Sequence, residues 1–124
     1  MIHLPAETGP LVGRRLVRRA GADVVVAPLA GGPAGLLRGR DQIVSLLGEP
    51  PGRVTFLRRL LERRQAAAST LLVATSRPVA VACAQRWSLD LARIRVQPEG
   101  SDLDRWLEVE LSRPRAERPA WHRR

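Results

Sequence analysis

The chain has 124 residues, a formal net charge of +9 and 44% hydrophobic residues. That length fits one domain with a core of its own, and ordinary apolar content means the bulk of it folds. One cysteine excludes an internal disulfide, and no apolar run approaches the ~20 residues of a membrane-spanning helix. All 21 basic residues are arginine. Two causes compete for the missing lysine: a GC-rich genome replaces Lys with Arg throughout, and the planar guanidinium suits carboxylates and phosphates; either way the charge favours anionic partners. Aromatic residues are scarce, with three Trp, one Phe and no Tyr, so packing rests on Leu, Val and Ala. The segment MIHLPAETGP lacks a basic region followed by an apolar one, so no signal peptide is expected and the cytoplasm is the expected compartment.

In chain order, Pro10 to Ala20 predicts a helix, with Val12, Leu16, Val17 and Ala20 on one side and Arg14, Arg15, Arg18 and Arg19 on the other. Gly21 stops it. Asp23 to Leu29 predicts a strand near a sheet edge, because Pro28 lacks a donor. Ala30 to Gly35 (AGGPAG) reads as a flexible loop, and Leu36 to Leu47 as a helix ended by Gly48-Glu49-Pro50-Pro51-Gly52. Arg53 to Arg63 fits both periods; the preceding Pro-Pro-Gly and the β-formers Val54, Thr55 and Phe56 favour a strand. Thr70 to Thr75 and Pro78 to Trp87 read as a hairpin turning at Ser76-Arg77. Leu89 to Ile94 reads as a short helix. Arg105 to Arg113 alternates, with Leu107, Val109 and Leu111 on one face and Trp106, Glu108 and Glu110 on the other. The stretch 113–124 (RPRAERPAWHRR) is basic and broken by prolines, and reads as a disordered tail after a single domain over 1–112. The expected architecture is α+β: an antiparallel sheet with helices packed on one face.

Several chemistries lack their residues. His3 and His122 stand at opposite ends and Cys83 is alone, so no metal-ligand spacing and no oriented nucleophile exist. Cys83 reads as a buried structural thiol. AGGPAG does not follow a phosphate-loop spacing. Two features retain a functional reading beside a structural one. Glu110, with Glu108, fits a proton-handling carboxylate or a solvated sheet face. The clusters Arg14, Arg15, Arg18, Arg19 and Arg58, Arg59, Arg63, Arg64 fit anion binding or solvated surfaces.

The stretches LLRGRDQIVSLLGEPPGRVTFLRR (Leu36 to Arg59), LLVATSRPVAVACA (Leu71 to Ala84) and LEVELSRP (Leu107 to Pro114) together resemble the chorismate lyase family. The resemblance implies an antiparallel sheet with an enclosed site and elimination of pyruvate from a cyclic acid without a cofactor. It also implies a strand Glu near the ligand and an Arg gripping a carboxylate. The position matching that Glu is Glu110. The position of the gripping Arg falls on Gln65 to Ser69, so Arg58 or Arg64 is expected to substitute. The segment before the Glu strand is shorter than in the family, which leaves open edges that a homodimer would cover. The expected partner is therefore a small cyclic or aromatic carboxylic acid, with no metal and no membrane. Two other readings stand beside it: a basic nucleic-acid-binding or regulatory module, and a non-catalytic subunit completed by a partner protein.

Overall fold

The computed structural model describes residues 1–5, 8–21, 23–37, 42–48, 52 and 54–112. Its elements are β1 (Ile2–His3), α1 (Pro10–Ala20), β2 (Val24–Pro28), β3 (Gln42–Leu47), α2 (Phe56–Ala68), β4 (Leu71–Ala74), α3 (Arg77–Arg86), β5 (Ile94–Val96) and α4 (Leu103–Ser112). A 3-10 turn, Leu91–Arg93, leads into β5. The five strands form one sheet in the order β1-β2-β3-β4-β5, and every pairing is parallel. The fold is α/β. The antiparallel sheet expected from the sequence, and implied by the lyase resemblance, is not the one the chain forms.

Parallel neighbours need a crossover, and crossovers are right-handed. When each step moves the chain one strand further in the same direction, right-handedness places all the crossing segments on one face. Accordingly Val17 of α1 packs with Val25, Ala27 and Ile43. Ala66 of α2 and Ala80 and Cys83 of α3 pack with Leu47, Leu72, Ala74 and Ile94. Alternate residues of the same strands, Val26, Val44, Leu71 and Val73, point the other way and meet Leu107 of α4. The central strands are thus buried on both faces, which explains their unbroken apolar runs.

That double burial also explains the misread elements. In β3 the residues Ile43, Val44, Ser45 and Leu47 are all buried, so the second half of the helix expected over Leu36–Leu47, Gln42–Leu47, is instead a strand covered on both sides. The expected hairpin is a strand followed by a helix. Ser76 accepts from the Val79 N–H at 3.4 Å as the N-cap of α3, and Pro78 in the first turn needs no donor. The strand expected over Arg53–Arg63 is α2. Thr55 caps it, accepting from Arg58 N–H at 3.3 Å, and its buried seam of Leu61, Glu62, Gln65 and Ala66 hides its period behind two polar residues. The strand expected over Arg105–Arg113 is α4, opened by Asp102, which accepts from Arg105 N–H at 3.2 Å. Val109, counted as inward, is 58% exposed. Of the helix expected over Leu89–Ile94 only the 3-10 turn forms before β5. Pro28 ends a strand that lies between two others, not at an edge. The helix over Pro10–Ala20 and the strands over Asp23–Leu29 and Thr70–Thr75 match α1, β2 and β4. The expectation for 113–124 lies outside the described residues.

The described residues between β2 and β3, 29–37, form no helix. Their AGGPAG stretch is not a flexible loop: Gly32, Pro33, Ala34 and Gly35 are buried. It folds as successive tight turns, Gly32 N–H to Leu29 C=O at 3.0 Å and Gly35 N–H to Gly32 C=O at 2.9 Å. It occupies the slot between α1 and α2 that a crossover helix would fill. A Cβ on Gly13 of α1 would lie 2.6 Å from the Pro33 carbonyl oxygen, and one on Gly35 would lie 2.6 Å from that of Leu61 in α2. Backbone therefore packs on backbone, and glycine is required on both sides.

Candidate functional site

A buried polar cluster lies between α2 and this turn segment. Gln65 accepts from Ala34 N–H at 3.0 Å. It donates to the Pro28 carbonyl and to the Ser45 hydroxyl, both at 3.0 Å. Ser45 and Ser69 share a hydrogen bond of 2.6 Å, and Ser69 donates to the Gln65 carbonyl at 2.5 Å. One turn earlier, Glu62 accepts from Gly31 N–H at 2.9 Å and from the Trp87 indole N–H at 3.3 Å. Glu62, Gln65 and Ser45 are fully buried. A segment without helical hydrogen bonds must find other partners for its buried N–H groups, and these side chains supply them. The cluster satisfies itself and is structural.

The residues expected to form a site are not brought together. Glu110 stands on α4, against one face of the sheet; Arg58 and Arg64 stand on α2, against the other. Glu110 meets a different arginine, Arg95 of β5, at 3.3 Å, and its side chain is only 7% exposed. The two line a shallow cleft of about 410 Å³ with Ile94, Val96, Pro98 and Trp106. Sequence reasoning missed Arg95 because strand and helix meet only through the tertiary fold. This ion pair fastens α4 to the edge strand, and the carboxylate already holds the guanidinium that a ligand carboxylate would seek. Arg58 is exposed in the first turn of α2, with its guanidinium over the turn segment, where a Cβ on Gly31 would lie 3.0 Å from it. Arg64 is exposed.

The outer faces of the helices are unusual. On α2, Phe56 is 82% exposed, Leu57 65% and Leu60 45%. Phe56 and Leu60 are one turn apart and form a stripe. Arg59 and Arg63, also one turn apart, run beside it, and Arg64 stands on the other side. Phe56, Arg59, Leu60 and Arg63 border a notch of about 120 Å³. On α1 only Gly13 and Val17 are buried. Arg14, Arg15, Arg18 and Arg19 cover an outward arc of roughly 140° at helical spacing, and Leu11, Val12 and Leu16 are exposed among and beside them. α1 and α2 share a sheet face, so this is one arginine-rich layer dotted with apolar side chains. A sequence signal for the stripe exists: Thr55 as a cap, followed by Phe56/Leu60 and Arg59/Arg63 at a spacing of four.

Cys83 sits in the core of α3 and donates its S–H to the Gly48 carbonyl at 3.0 Å. Burial pushes its thiol pKa up, which disfavours the reactive thiolate. It is expected to resist a thiol-titrating reagent in the native state and to react fully in denaturant. The folded protein keeps a proton that the unfolded chain releases above about pH 8.5. The thiol's contribution to stability is therefore intact below that pH and declines as pH rises through the raised value. Urea midpoints of wild type and Cys83→Ala, which should converge with rising pH, check this.

Among the described residues, no three His, Cys, Asp or Glu side chains are grouped to hold a metal ion. No helix there is long and apolar enough to cross a membrane. Comparison with known proteins found no matching family model, no matching curated protein and no matching solved structure.

Proposed function

We propose that this chain is a non-catalytic binding module whose recognition surface is the outward layer of α1 and α2 and whose partner is an anionic macromolecule. The observation that carries this reading is the exposure of Phe56, the chain's single phenylalanine, and Leu60 between Arg59 and Arg63 on one side and Arg64 on the other, with exposed Leu57 beside Arg64. Large apolar side chains grouped on a surface and rimmed by charge are characteristic of interaction sites. Phe56 and Leu60 add nothing to the fold, since the opposite side of α2 makes its packing. The net charge of +9 sets the sign of the partner.

The rival reading is a small carboxylic acid bound at Glu110. Its support is the cleft in which Glu110 and Arg95 meet. Against it, the two charges already satisfy each other, and Arg58 and Arg64 are on the far side of the sheet.

Two measurements separate the readings. Phe56→Ser and Leu60→Ser should change unfolding free energy by less than ~0.5 kcal/mol, as exposed positions do. Hydrogen exchange in the presence of an anionic polymer should show protection in α1 and α2. Thermal stabilisation by a cyclic or aromatic carboxylic acid, lost in Glu110→Gln, would defeat the proposal and restore the small-acid site.

A further inference from the structure

Resting on that reading, we infer that the stripe on α2 is the docking seat of an acidic amphipathic helix belonging to another protein. The stripe has two parallel rows. Phe56 and Leu60 form an apolar row; Arg59 and Arg63 form a cationic row beside it. Each row advances one helical turn, about 6 Å, per step. A partner that matches both rows must present an apolar row and an acidic row side by side on one face. A helix does this with residues at i, i+4 and i+3, i+7. An extended strand sends alternate residues to opposite faces and presents a single row. Ridges spaced at four residues on both partners interdigitate in the common helix-helix packing, and the notch of about 120 Å³ bordered by both rows receives one side chain.

Charge and apolar chemistry together discriminate against other occupants. A nucleic acid would use the arginines, but its interfaces are polar, and only Phe56 offers a stacking surface; Leu57 and Leu60 would gain nothing. A lipid surface takes a broad apolar face with its cations at the margin. Here three apolar side chains stand at the level of Arg59, Arg63 and Arg64. A second copy of the chain would set these arginines against their own kind. An acidic amphipathic helix uses every side chain in the stripe.

The test is fluorescence anisotropy of the full chain with labelled probes, plus hydrogen exchange of each complex. The probes are an amphipathic Leu/Glu peptide of about five helical turns, its scrambled counterpart, a single-stranded oligonucleotide of about 20 nucleotides and vesicles of phosphatidylserine and phosphatidylcholine. The amphipathic peptide should bind at least ~10-fold more tightly than the scrambled one. Phe56→Ser and Leu60→Ser should each weaken it by ~10-fold or more, with native melting temperatures. Arg59→Gln with Arg63→Gln should weaken it and flatten its salt dependence. Equal affinity for the scrambled peptide, or tighter binding of oligonucleotide or vesicle unaffected by Phe56→Ser, overturns the helix seat. If those probes nevertheless protect α1 and α2, the binding layer stands without it. If no probe protects either helix, both fall.

Discussion

Replacing Gly32 with valine is expected to cost about 3 kcal/mol or more, the largest effect of any exchange at the turn segment between α1 and α2. Two penalties add. Gly32 has φ +58, a left-handed conformation that costs an L-residue about 1–2 kcal/mol. A Cβ there would also lie 2.7 Å from the Leu61 carbonyl carbon, 2.8 Å from the Leu61 Cβ and 2.9 Å from the Glu62 nitrogen. Those atoms belong to the α2 backbone and its first side-chain carbon, so no flexible side chain can swing away. Overpacking of this kind costs about 1–3 kcal/mol. Against a typical stability of about 5–15 kcal/mol the loss is large. Gly48→Ala is the control: nothing lies within 4 Å of its Cβ position. Urea unfolding followed by circular dichroism reads both, and a Gly32→Val loss below ~1 kcal/mol would mean the segment does not pack against α2 as described.

The second large effect is expected at Gln65. Leucine fills a similar volume but makes none of the three side-chain hydrogen bonds to Ala34 N–H, Pro28 C=O and Ser45. Ser45 keeps Ser69 as a partner; the Ala34 N–H loses its acceptor inside the protein. A buried group left unsatisfied costs about 1–3 kcal/mol, so Gln65→Leu should lose about 2–4 kcal/mol. Exchange protection should fall first at Ala34 and its neighbours, before β4 is affected, because the turn segment loses its anchor while the sheet keeps its ladder. Uniform loss across the sheet would show instead that the cluster acts through global packing. The same change should leave anion binding by α1 and α2 intact at temperatures well below the midpoint, since Gln65 faces away from that layer.

Legibility in the sequence followed the local chemistry. α1 was readable because its amphipathic pattern ends at Gly21, whose φ of 59 closes the helix. β2 and β4 were readable as short Val-rich and Leu-rich runs. The fold class is hidden at β3, whose double burial imitates a helix, at α4, whose residues alternate like a strand, and at two caps. Thr55 and Ser76 look like strand and turn residues, yet each caps a helix; assigning those helices to strands turned a parallel sheet into an antiparallel one. The α2 seam was hidden because Glu62 and Gln65 occupy buried positions while Phe56 and Leu57 are outside. A surface that breaks the inside-outside rule misleads a reading of period, and the same breach marks it as a place where something binds. Glu110 was singled out as a chemical group; the fold gives it Arg95, a partner no sequence spacing indicates.

The strand order, which runs with the chain from β1 to β5, bears on how the protein comes to be made. In a parallel sheet where a later strand inserts between two earlier ones, the early pieces wait for the late one before they can pair. Here each new strand joins the one just before it, and each crossover covers the pair already in place. Loop closures stay short at every step, which favours rapid folding for a parallel topology. A chain leaving the ribosome can add one strand at a time to a growing edge. Nascent chains arrested after β4 should already carry the paired β2–β3–β4 centre, with α3, the final edge strand and α4 still to dock.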